Sequence, residues 1–215
     1  MTGDFPIAIL GAGGHGKVLA AALQRAGQTV LGFIDSDATL LGKKILGLPV
    51  LGGDEMLDRN ECRNWRLVNG IGSVGRPARR REIFERLKSS GFSFVTVIDP
   101  SAIVAPEVEI GEGAQILAGA VIQTGAYIGR NCIVNTRASI DHDTVLGAHV
   151  HVAPGAVLSG CVIVGDEVHI GTGAAIKQGI RIGSGAVIGV GSAVIHDVPA
   201  DSLQAGVPAR PLFEN

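Results

Sequence analysis

An aliphatic residue recurs at every sixth position through most of the second half of this sequence. The series has Ile, Leu or Val at all seventeen positions and contains no insertion. An α-helix repeats its faces about every 3.6 residues and a β-strand every 2 residues, so neither explains a period of six. The period predicts a parallel β-helix, a triangular prism in which each hexapeptide forms one side of a coil. The positions are Ile98, Val104, Ile110, Ile116, Ile122, Ile128, Val134, Ile140, Leu146, Val152, Leu158, Val164, Ile170, Ile176, Ile182, Ile188 and Val194.

Two further positions of the hexapeptide have a restricted composition. With the aliphatic residue as position i, position i+4 is small or β-branched, as in Ala114 and Ala120, and position i+1 is often glycine, as in Gly129 and Gly147. We expect the residues at i and i+4 to fill the narrow interior, and the glycine at i+1 to supply the turn at each corner. Because three hexapeptides make one coil, residues 18 apart should stack at a spacing of about 4.8 Å.

The N-terminal segment has the pattern of a β-α-β unit. Residues 5–10 are predicted to form an apolar strand, residues 17–25 an alanine-rich helix and residues 29–34 a second strand. A glycine-rich loop between the first strand and the helix of such a unit brings the backbone close to a phosphate group at the helix N-terminus, as in a Rossmann-like fold. The loop here satisfies G-x-G-x-x-G with Gly11, Gly13 and Gly16.

The size of this N-terminal region argues against a dinucleotide ligand. A dinucleotide needs two mononucleotide-binding halves, whereas residues 66–72 and 79–88 offer only one more strand and one more helix. An NAD-dependent oxidoreductase is therefore an alternative that the short domain and the prism disfavour. We expect a small α/β Rossmann-like domain at residues 1–97, which binds a nucleotide or nucleotide-sugar, followed by the β-helix domain at residues 98–215.

Composition and charge exclude several classes of protein. The 18 Lys and Arg against 20 Asp and Glu give a net charge of −2, so nothing points to nucleic acid as a partner. The chain has no membrane-length apolar stretch, no signal-peptide pattern and no CxxC spacing among its three cysteines. We therefore expect a cytoplasmic protein with no membrane contact, disulfide scaffold or metal site. The arginine-rich run at residues 76–81 is interpreted as the solvated first turn of a helix.

His142 is the best candidate for a general base among the six histidines. It stands in Asp141-His142-Asp143, two positions after the inward-pointing Ile140, and therefore near a corner of the prism. Histidine is the usual base near neutral pH, and flanking carboxylates stabilise the imidazolium as it forms. From the residues alone, an ordinary surface histidine remains the alternative. His196 shares the i+2 position but falls at the end of the prism, so we interpret it as structural.

The combination of G-x-G-G-H-G with a hexapeptide prism resembles one family. The chain is similar, from Ile7 to Arg210, to the nucleotide-sugar N-acetyltransferases that acetylate a 4-amino-4,6-dideoxyhexose in bacillosamine and perosamine biosynthesis. The ending Gly206-Val207-Pro208-Ala209-Arg210 also resembles the G-x-P-A-[KR] of the wider hexapeptide acyltransferase superfamily. The resemblance implies a left-handed β-helix, a homotrimer, acetyl-CoA bound between adjacent prisms, and a product used in glycans such as the lipopolysaccharide O-antigen. The close fit of the chain to this family in length and layout favours GDP-perosamine over a UDP-sugar as the acceptor.

The resemblance also implies roles for individual residues. The segment from Asn135 to Asp143 is similar to the relatives' segment that holds the general base, which implies that His142 is the base and Asp143 its acidic partner. The residues implied to hold the nucleotide-sugar are Gly13, Gly14, His15, Asp35 with Ser36, and Gly72. The residues implied to contact acetyl-CoA are His151, Thr172 and Val190. Some relatives carry two adjacent acids where this chain has Asp35 and Ser36, a difference that bears on base preference.

Two other functions fit the same features. One is a sugar O-acetyltransferase of the sialic acid type, which differs only in the acceptor group. The other is a nucleotide-binding β-helix protein without catalytic activity, which would bind ligands but release no CoA.

Overall fold

The computed structural model describes residues 5–73, 75 and 77–212. Its N-terminal region is built on a six-stranded sheet, comprising β1 (Ile7–Leu10), β2 (Val30–Ile34), β3 (Lys44–Ile45), β4 (Leu48–Gly52), β5 (Arg66–Asn69) and β6 (Ser93–Phe94). The strand order is β3-β4-β2-β1-β5-β6. The pairs are parallel except for the β3–β4 hairpin. This is the Rossmann-like half-fold predicted from the sequence.

Two α-helices and three short 3₁₀-helices connect these strands. The α-helices are α1 (Gly14–Arg25) and α2 (Ala78–Ser89), and the 3₁₀-helices are Ala38–Leu40, Asp54–Asp58 and Asn60–Asn64. Within the described part of the chain, no helix has the length and apolar character needed to cross a bilayer.

Strand β1 is the centre of the N-terminal core because both of its faces are covered. Side chains alternate along a strand, so Ile7 and Ile9 pack with α1 while Ala8 and Leu10 pack with α2. All four residues are buried. The uninterrupted apolar run is therefore typical of a parallel strand between two helical layers.

Helix α1 begins three residues earlier than predicted, inside the glycine loop. The first helical backbone bond runs from the Lys17 amide to the Gly13 carbonyl, at 3.0 Å. A Cβ atom at Gly16 would lie 2.0 Å from the Gly11 carbonyl oxygen, so only glycine lets the first turn pack this closely against the end of β1. Gly14 and Gly16 of the loop are thus part of the helix, and the helix N-terminus opens directly at the sheet edge.

The second half is the predicted prism, with three parallel sheets as its faces. The first face contains β7 (Val97–Ile98), β10 (Gln115–Ile116), β13 (Ile133–Val134), β16 (His151–Val152), β19 (His169–Ile170), β22 (Val187–Ile188), β24 (Leu203–Ala205) and the antiparallel β25 (Arg210–Pro211). The second face contains β8 (Ile103–Val104), β11 (Val121–Ile122), β14 (Ser139–Ile140), β17 (Val157–Leu158), β20 (Ala175–Ile176) and β23 (Ala193–Val194). The third face contains β9 (Glu109–Ile110), β12 (Tyr127–Ile128), β15 (Val145–Leu146), β18 (Ile163–Val164) and β21 (Arg181–Ile182).

The predicted ladders are confirmed. Ile140 pairs with Ile122 in the coil before and with Leu158 in the coil after, and both partners are 18 residues away. From Ile116 onward the aliphatic positions form one buried core together with the small residues at i+4. Ile98 departs from the pattern because it is 42% exposed at the open N-terminal end of the stack, where no earlier coil covers it.

The predicted role of the i+1 glycines is wrong. None of them has a positive φ; the left-handed residue of each corner is at i+3, in every hexapeptide from Glu107 to Gly191. Seven of these fifteen corner residues are not glycine, and they include Asp143 (φ 56°) and Cys161 (φ 58°). A non-glycine residue in this region costs roughly 1 kcal/mol, which the regular coil has to offset.

The i+1 glycines instead allow neighbouring coils to approach each other. A Cβ atom at Gly129 would lie 2.3 Å from the Gly147 carbonyl oxygen of the next coil. Five of them form a ladder along the corner between the third and first faces, comprising Gly111, Gly129, Gly147, Gly165 and Gly183. We call this corner, which includes residues 129–132 and 147–150, the covered edge.

The N-terminal domain packs on the first face and on the covered edge. Leu117 and Ile133 point outward from the first face, yet both are fully buried in one cluster with α1. Glu85 of α2 forms an ion pair with Arg130 of the covered edge at 3.1 Å. The outward strand residues of the other two faces are exposed or partly exposed, as Ile103 (63%) illustrates. The corner between the second and third faces, which includes residues 141–144 and 159–162, lies opposite this contact and is called the free edge.

Candidate active site

His142 and Asp143 form a hydrogen-bonded pair on the free edge. The His142 Nδ1 atom lies 2.8 Å from Asp143 Oδ2, and the two side chains are 46% and 65% exposed. The His142 amide donates a hydrogen bond of 2.8 Å to Asp141 Oδ1. Because a carboxylate oxygen only accepts, Nδ1 carries the proton and Nε2 keeps its lone pair. The exposed imidazole is therefore oriented with a free basic nitrogen.

The surroundings of His142 make it a stronger base than a free histidine. The hydrogen bond that His142 donates to Asp143 raises the pKa of His142 above its ordinary value, and the charges of Asp141 and Asp143 act in the same direction. The ring lies over Gly160 of the next coil, where a Cβ atom would be 2.5 Å from Nε2. Sequence reasoning missed Gly160; its signal is the spacing of 18 residues from His142.

Most of the predicted nucleotide-sugar residues surround the N-terminus of α1. Gly13 and Gly14 are exposed, and no other atom lies within 4 Å of a Cβ built on either, so a ligand can approach their backbone closely. A Cβ atom at Gly72 would lie 3.3 Å from His15 Cβ, which places Gly72 beside the loop. The free amides of a helix N-terminus favour an anion at this point.

Asp35 joins the glycine loop to two neighbouring cavities. Its Oδ2 accepts a hydrogen bond of 2.7 Å from the Ala12 amide, and its Oδ1 accepts one of 2.9 Å from the Asp37 amide. Asp35, Ser36 and Asp54 line both cavities, whose volumes are about 140 Å³ and 300 Å³. The cavities lie at the carboxyl ends of β1 and β2, which is where parallel α/β sheets bind their ligands.

His15 is a neutral link between the loop and the prism. Its Nε2 lies 2.7 Å from Gln115 Oε1, while Gln115 Nε2 donates to the Asn69 carbonyl. Nε2 of His15 is therefore the donor. Burial, assisted by the charge of Arg80, lowers the pKa of His15 to about 4. His15 therefore positions the loop through a hydrogen bond and does not carry charge near neutral pH.

Arg80 corrects the interpretation of the arginine run as a solvated helix turn. Arg79 and Arg81 are exposed as expected, and Arg76 lies outside the described residues, but Arg80 is 1% exposed. Its Nη1 donates to the carbonyls of Asn69 (2.7 Å) and Ile71 (2.8 Å), immediately before Gly72. Burial lowers the pKa of Arg80 to about 9. The helical period explains its position, since the buried residues of α2 are Arg80, Phe84 and Leu87.

The three residues predicted to contact acetyl-CoA do not lie together in the single chain. His151 is buried on the first face, where its Nδ1 lies 3.0 Å from Ser73 Oγ and burial lowers its pKa to about 3. Thr172 and Val190 are exposed at the corner between the first and second faces. We call this corner, which includes residues 171–174 and 189–192, the side edge. The acetyl-CoA contacts remain predictions.

His149, to which the sequence assigned no role, is part of the contact between domains. It is 4% exposed; Asn131 Nδ2 lies 2.9 Å from its Nδ1, and Glu85 Oε1 lies 2.9 Å from its Nε2. Asn131 Oδ1 in turn accepts from Asn69 Nδ2 at 3.2 Å. His196, interpreted as structural, is exposed, and the neighbouring Asp197 accepts a hydrogen bond from the Arg181 amide.

Family models match both halves of the chain. The PglD N-terminal domain matches residues 6–87, and the bacterial transferase hexapeptide model matches residues 125–160. Curated relatives such as the acyl-[acyl-carrier-protein]–UDP-N-acetylglucosamine O-acyltransferase of Brucella ovis match more narrowly, with 41% identity over 66 residues. That match covers 31% of this chain and 23% of the relative's length.

Solved structures match nearly the whole chain. A variant of perosamine N-acetyltransferase from Caulobacter crescentus, in complex with CoA and GDP-perosamine, is 36% identical, covers 97% of each chain and has a TM-score of 0.90. The acetyltransferase domain of PglB from Neisseria gonorrhoeae, in complex with acetyl coenzyme A, is 38% identical, covers 98% of this chain and 100% of that chain, and has a TM-score of 0.89. WeeI from Acinetobacter baumannii is 30% identical over 96% of this chain and 99% of that chain, with a TM-score of 0.85.

These matches identify the class of protein. The fold is a Rossmann-like domain joined to a left-handed β-helix of hexapeptide repeats. The chain belongs to the nucleotide-sugar N-acetyltransferase family of hexapeptide-repeat acyltransferases, as its sequence motifs predicted.

Proposed function

We propose that this protein transfers the acetyl group of acetyl-CoA to the 4-amino group of a nucleotide-linked 4-amino-4,6-dideoxyhexose. The observation that carries the proposal is the His142–Asp143 pair, which presents a free Nε2 on an exposed edge. The relatives that share the whole architecture include a perosamine N-acetyltransferase with CoA and GDP-perosamine bound, so GDP-perosamine is our first choice of acceptor. A UDP-linked sugar is the second. The acetylated nucleotide-sugar would be used to build a cell-surface glycan such as the lipopolysaccharide O-antigen.

The chemistry requires one base and no covalent enzyme intermediate. His142 Nε2 accepts a proton from the sugar amine as the amine nitrogen attacks the thioester carbonyl carbon. The tetrahedral intermediate then collapses, the carbon–sulfur bond breaks, and the CoA thiolate leaves and takes up the proton held by His142, which returns the base to its neutral form. Asp143 stabilises the imidazolium that forms on His142. A positioned base of this kind typically contributes 10²–10⁴-fold to the rate.

The nucleotide end of the acceptor fits the N-terminal domain. Its phosphates would lie at the backbone of Gly13 and Gly14, where the helix amides are free. The base and ribose would enter the cavities lined by Asp35 and Ser36. Because the neighbouring acidic position of some relatives is Ser36 here, this residue is where we expect the base preference to be decided.

The position of His142 supports a homotrimer. The N-terminal domain covers the first face through contacts such as His15–Gln115 and Ser73–His151, whereas His142 lies on the free edge, opposite that face. A sugar held by this domain therefore reaches the His142 of a neighbouring subunit more directly than its own. Outward-facing apolar residues beside the free edge are also exposed, as expected of a contact surface, and include Tyr127, Val145, Val157 and Ile163.

A panel of acceptors tests the proposal. Purified protein is mixed with acetyl-CoA and with GDP-, UDP- or dTDP-linked 4-amino-4,6-dideoxyhexoses, each paired with its 4-hydroxy counterpart, and CoA release is measured. We expect release with an amino sugar and none with the matched hydroxy sugar. Release with hydroxy sugars alone would identify an O-acetyltransferase. Nucleotide-sugar binding without CoA release would identify a non-catalytic protein.

A further inference from the structure

One thiol on the free edge is not used by the proposed mechanism. Cys161 is exposed, whereas Cys62 and Cys132 are fully buried. Its amide donates a 2.9 Å hydrogen bond to the His142 carbonyl, so it lies directly beside the base in the next coil. Cys161 is also 18 residues from Asp143, and both residues occupy the left-handed corner position, with φ of 58° and 56°. The two side chains therefore leave the same edge in adjacent coils.

This stacking places three different ligand types together. A ring nitrogen of His142, a carboxylate oxygen of Asp143 and the sulfur of Cys161 all lie within 4.8 Å of one another. We propose that these three residues, which we call the edge cluster, bind Zn²⁺, and that the bound ion inhibits the enzyme. The inhibition rests on the proposed acetyltransferase function; the metal binding does not.

The donor set favours zinc over the hard divalent cations. Zn²⁺ accepts sulfur, nitrogen and oxygen at about 2.0–2.3 Å, so ligand atoms on one tetrahedral ion are about 3.5 Å apart. Because the ligand atoms of the edge cluster lie at most 4.8 Å apart, the widest separation has to contract by no more than about 1.3 Å, which exposed side chains can do by rotation. Mg²⁺ and Ca²⁺ prefer oxygen ligands throughout. Three protein ligands also leave a fourth position for water.

The bound ion would inhibit the enzyme because one of its three ligands, His142, is also the proposed base. A metal ion on the imidazole occupies the lone pair that accepts the proton of the sugar amine, or displaces Asp143 from Nδ1. Either change removes the oriented base. Cys161 acts only as the additional ligand that lets this chain retain the ion at its catalytic edge.

Cobalt provides a test of the site that does not depend on turnover. Untagged protein is titrated with Co²⁺, whose bond to a thiolate produces a charge-transfer absorption band in the near ultraviolet. We expect this band in the natural protein, its loss in Cys161→Ser, and its displacement by Zn²⁺. The matched control is His196→Ala, which removes the other histidine at the i+2 position of the free edge and should leave the band unchanged.

A second measurement tests inhibition. CoA release is recorded against free Zn²⁺, with each variant referred to its own metal-free rate. We expect Cys161→Ser to raise the half-inhibiting concentration by about tenfold or more, in the range found for weakened metal sites. His196→Ala should not change it.

The outcomes separate the two proposals. A missing cobalt band, or a band that survives in Cys161→Ser, would overturn the metal site. Equal zinc inhibition in the natural protein and in Cys161→Ser would overturn its inhibitory role. A cysteine-dependent band in a protein that releases no CoA with any acceptor would support the site while refuting the acetyltransferase proposal.

Discussion

His15 and His151 of the domain contact differ from His142 of the free edge in their surroundings, in their hydrogen-bond partners and in the direction of their pKa shifts. His15 and His151 are enclosed between the N-terminal domain and the first face, and their partners are neutral side chains such as Gln115 and Ser73. His142 is nearly half exposed and is bonded to a carboxylate. The residue type is the same and the prism that carries His142 and His151 is regular, so the difference comes from their surroundings. The N-terminal domain covers His151, whereas His142 stands uncovered beside Asp143.

The physical cause is the balance between desolvation and charge. Burial penalises the imidazolium, and it lowers the pKa of His15 to about 4 and that of His151 to about 3. The hydrogen bond to Asp143 favours the imidazolium, and it raises the pKa of His142. The domain contact thus uses histidine as a neutral hydrogen-bonding element, whereas on the free edge we propose that His142 acts as a base. Three substitutions test this contrast.

The largest effect is expected at the free edge. His142→Ala should lower kcat at least 100-fold, which corresponds to about 2.7 kcal/mol in the activation free energy, because the base is lost. The protein should stay folded, since the side chain is exposed. Steady-state CoA release and thermal unfolding measure the two effects. His196→Ala is the matched control and should keep its turnover; a similar loss in both variants, or near-natural turnover in His142→Ala, would contradict the assignment.

A smaller effect, on stability, is expected at the domain contact. Arg80→Met keeps an unbranched buried side chain but removes the donors to the Asn69 and Ile71 carbonyls. Leaving buried carbonyls unpaired should lower the free energy of unfolding by about 2 kcal/mol, and urea denaturation measures this loss. Arg81→Met removes an exposed arginine that pairs with Glu167 and should cost under about 1 kcal/mol. Equal losses in both variants would show that the buried guanidinium has no special role.

The smallest effect concerns pH. Because the folded pKa of His15 lies below the unfolded value of 6.5, its contribution to stability is present above about pH 6.5 and is lost as the pH falls toward 4. Between pH 7 and 5.5 this amounts to about 1 kcal/mol. His15→Asn should therefore lose less stability over this interval than the natural protein, as measured by urea denaturation at both pH values. An identical loss in the two proteins would mean that His15 does not titrate as described.

The prism was predictable because a coil has one repeat length. Eighteen residues per turn without insertion leave no other way to bury Val104 to Val194, and the same count stacks Ile140 on Ile122. The turn residue was misassigned because the i+1 glycines are conspicuous, while nearly half of the i+3 corners carry other residues. The edge cluster also follows the 18-residue spacing, but only once the corner residues are recognised.

The His142–Asp143 pair was predictable from local sequence, and the domain contact was not. Asp141-His142-Asp143 places both acids beside the base whatever the neighbouring structure does. Gln115 and His151, by contrast, point outward from ordinary repeats, and nothing local indicates that the N-terminal domain covers the first face. Arg80 lies between the two cases, since the helical spacing to Phe84 marks it as buried once α2 is known to be amphipathic.

Because the repeat is uninterrupted, the number of residues between two positions also gives their separation along the prism axis. At about 4.8 Å per coil, Thr172 lies about 8 Å above the level of His142, and Val190 about 13 Å. In the homotrimer that we propose, rotation about a threefold axis parallel to the prism would preserve these heights, so they would hold between subunits as well as within one. A thioester substrate that touches all three levels must therefore extend lengthwise along the prism. Deleting one complete coil between His142 and Thr172 would shorten the axial distance from His142 to Thr172 and Val190 by a single strand spacing.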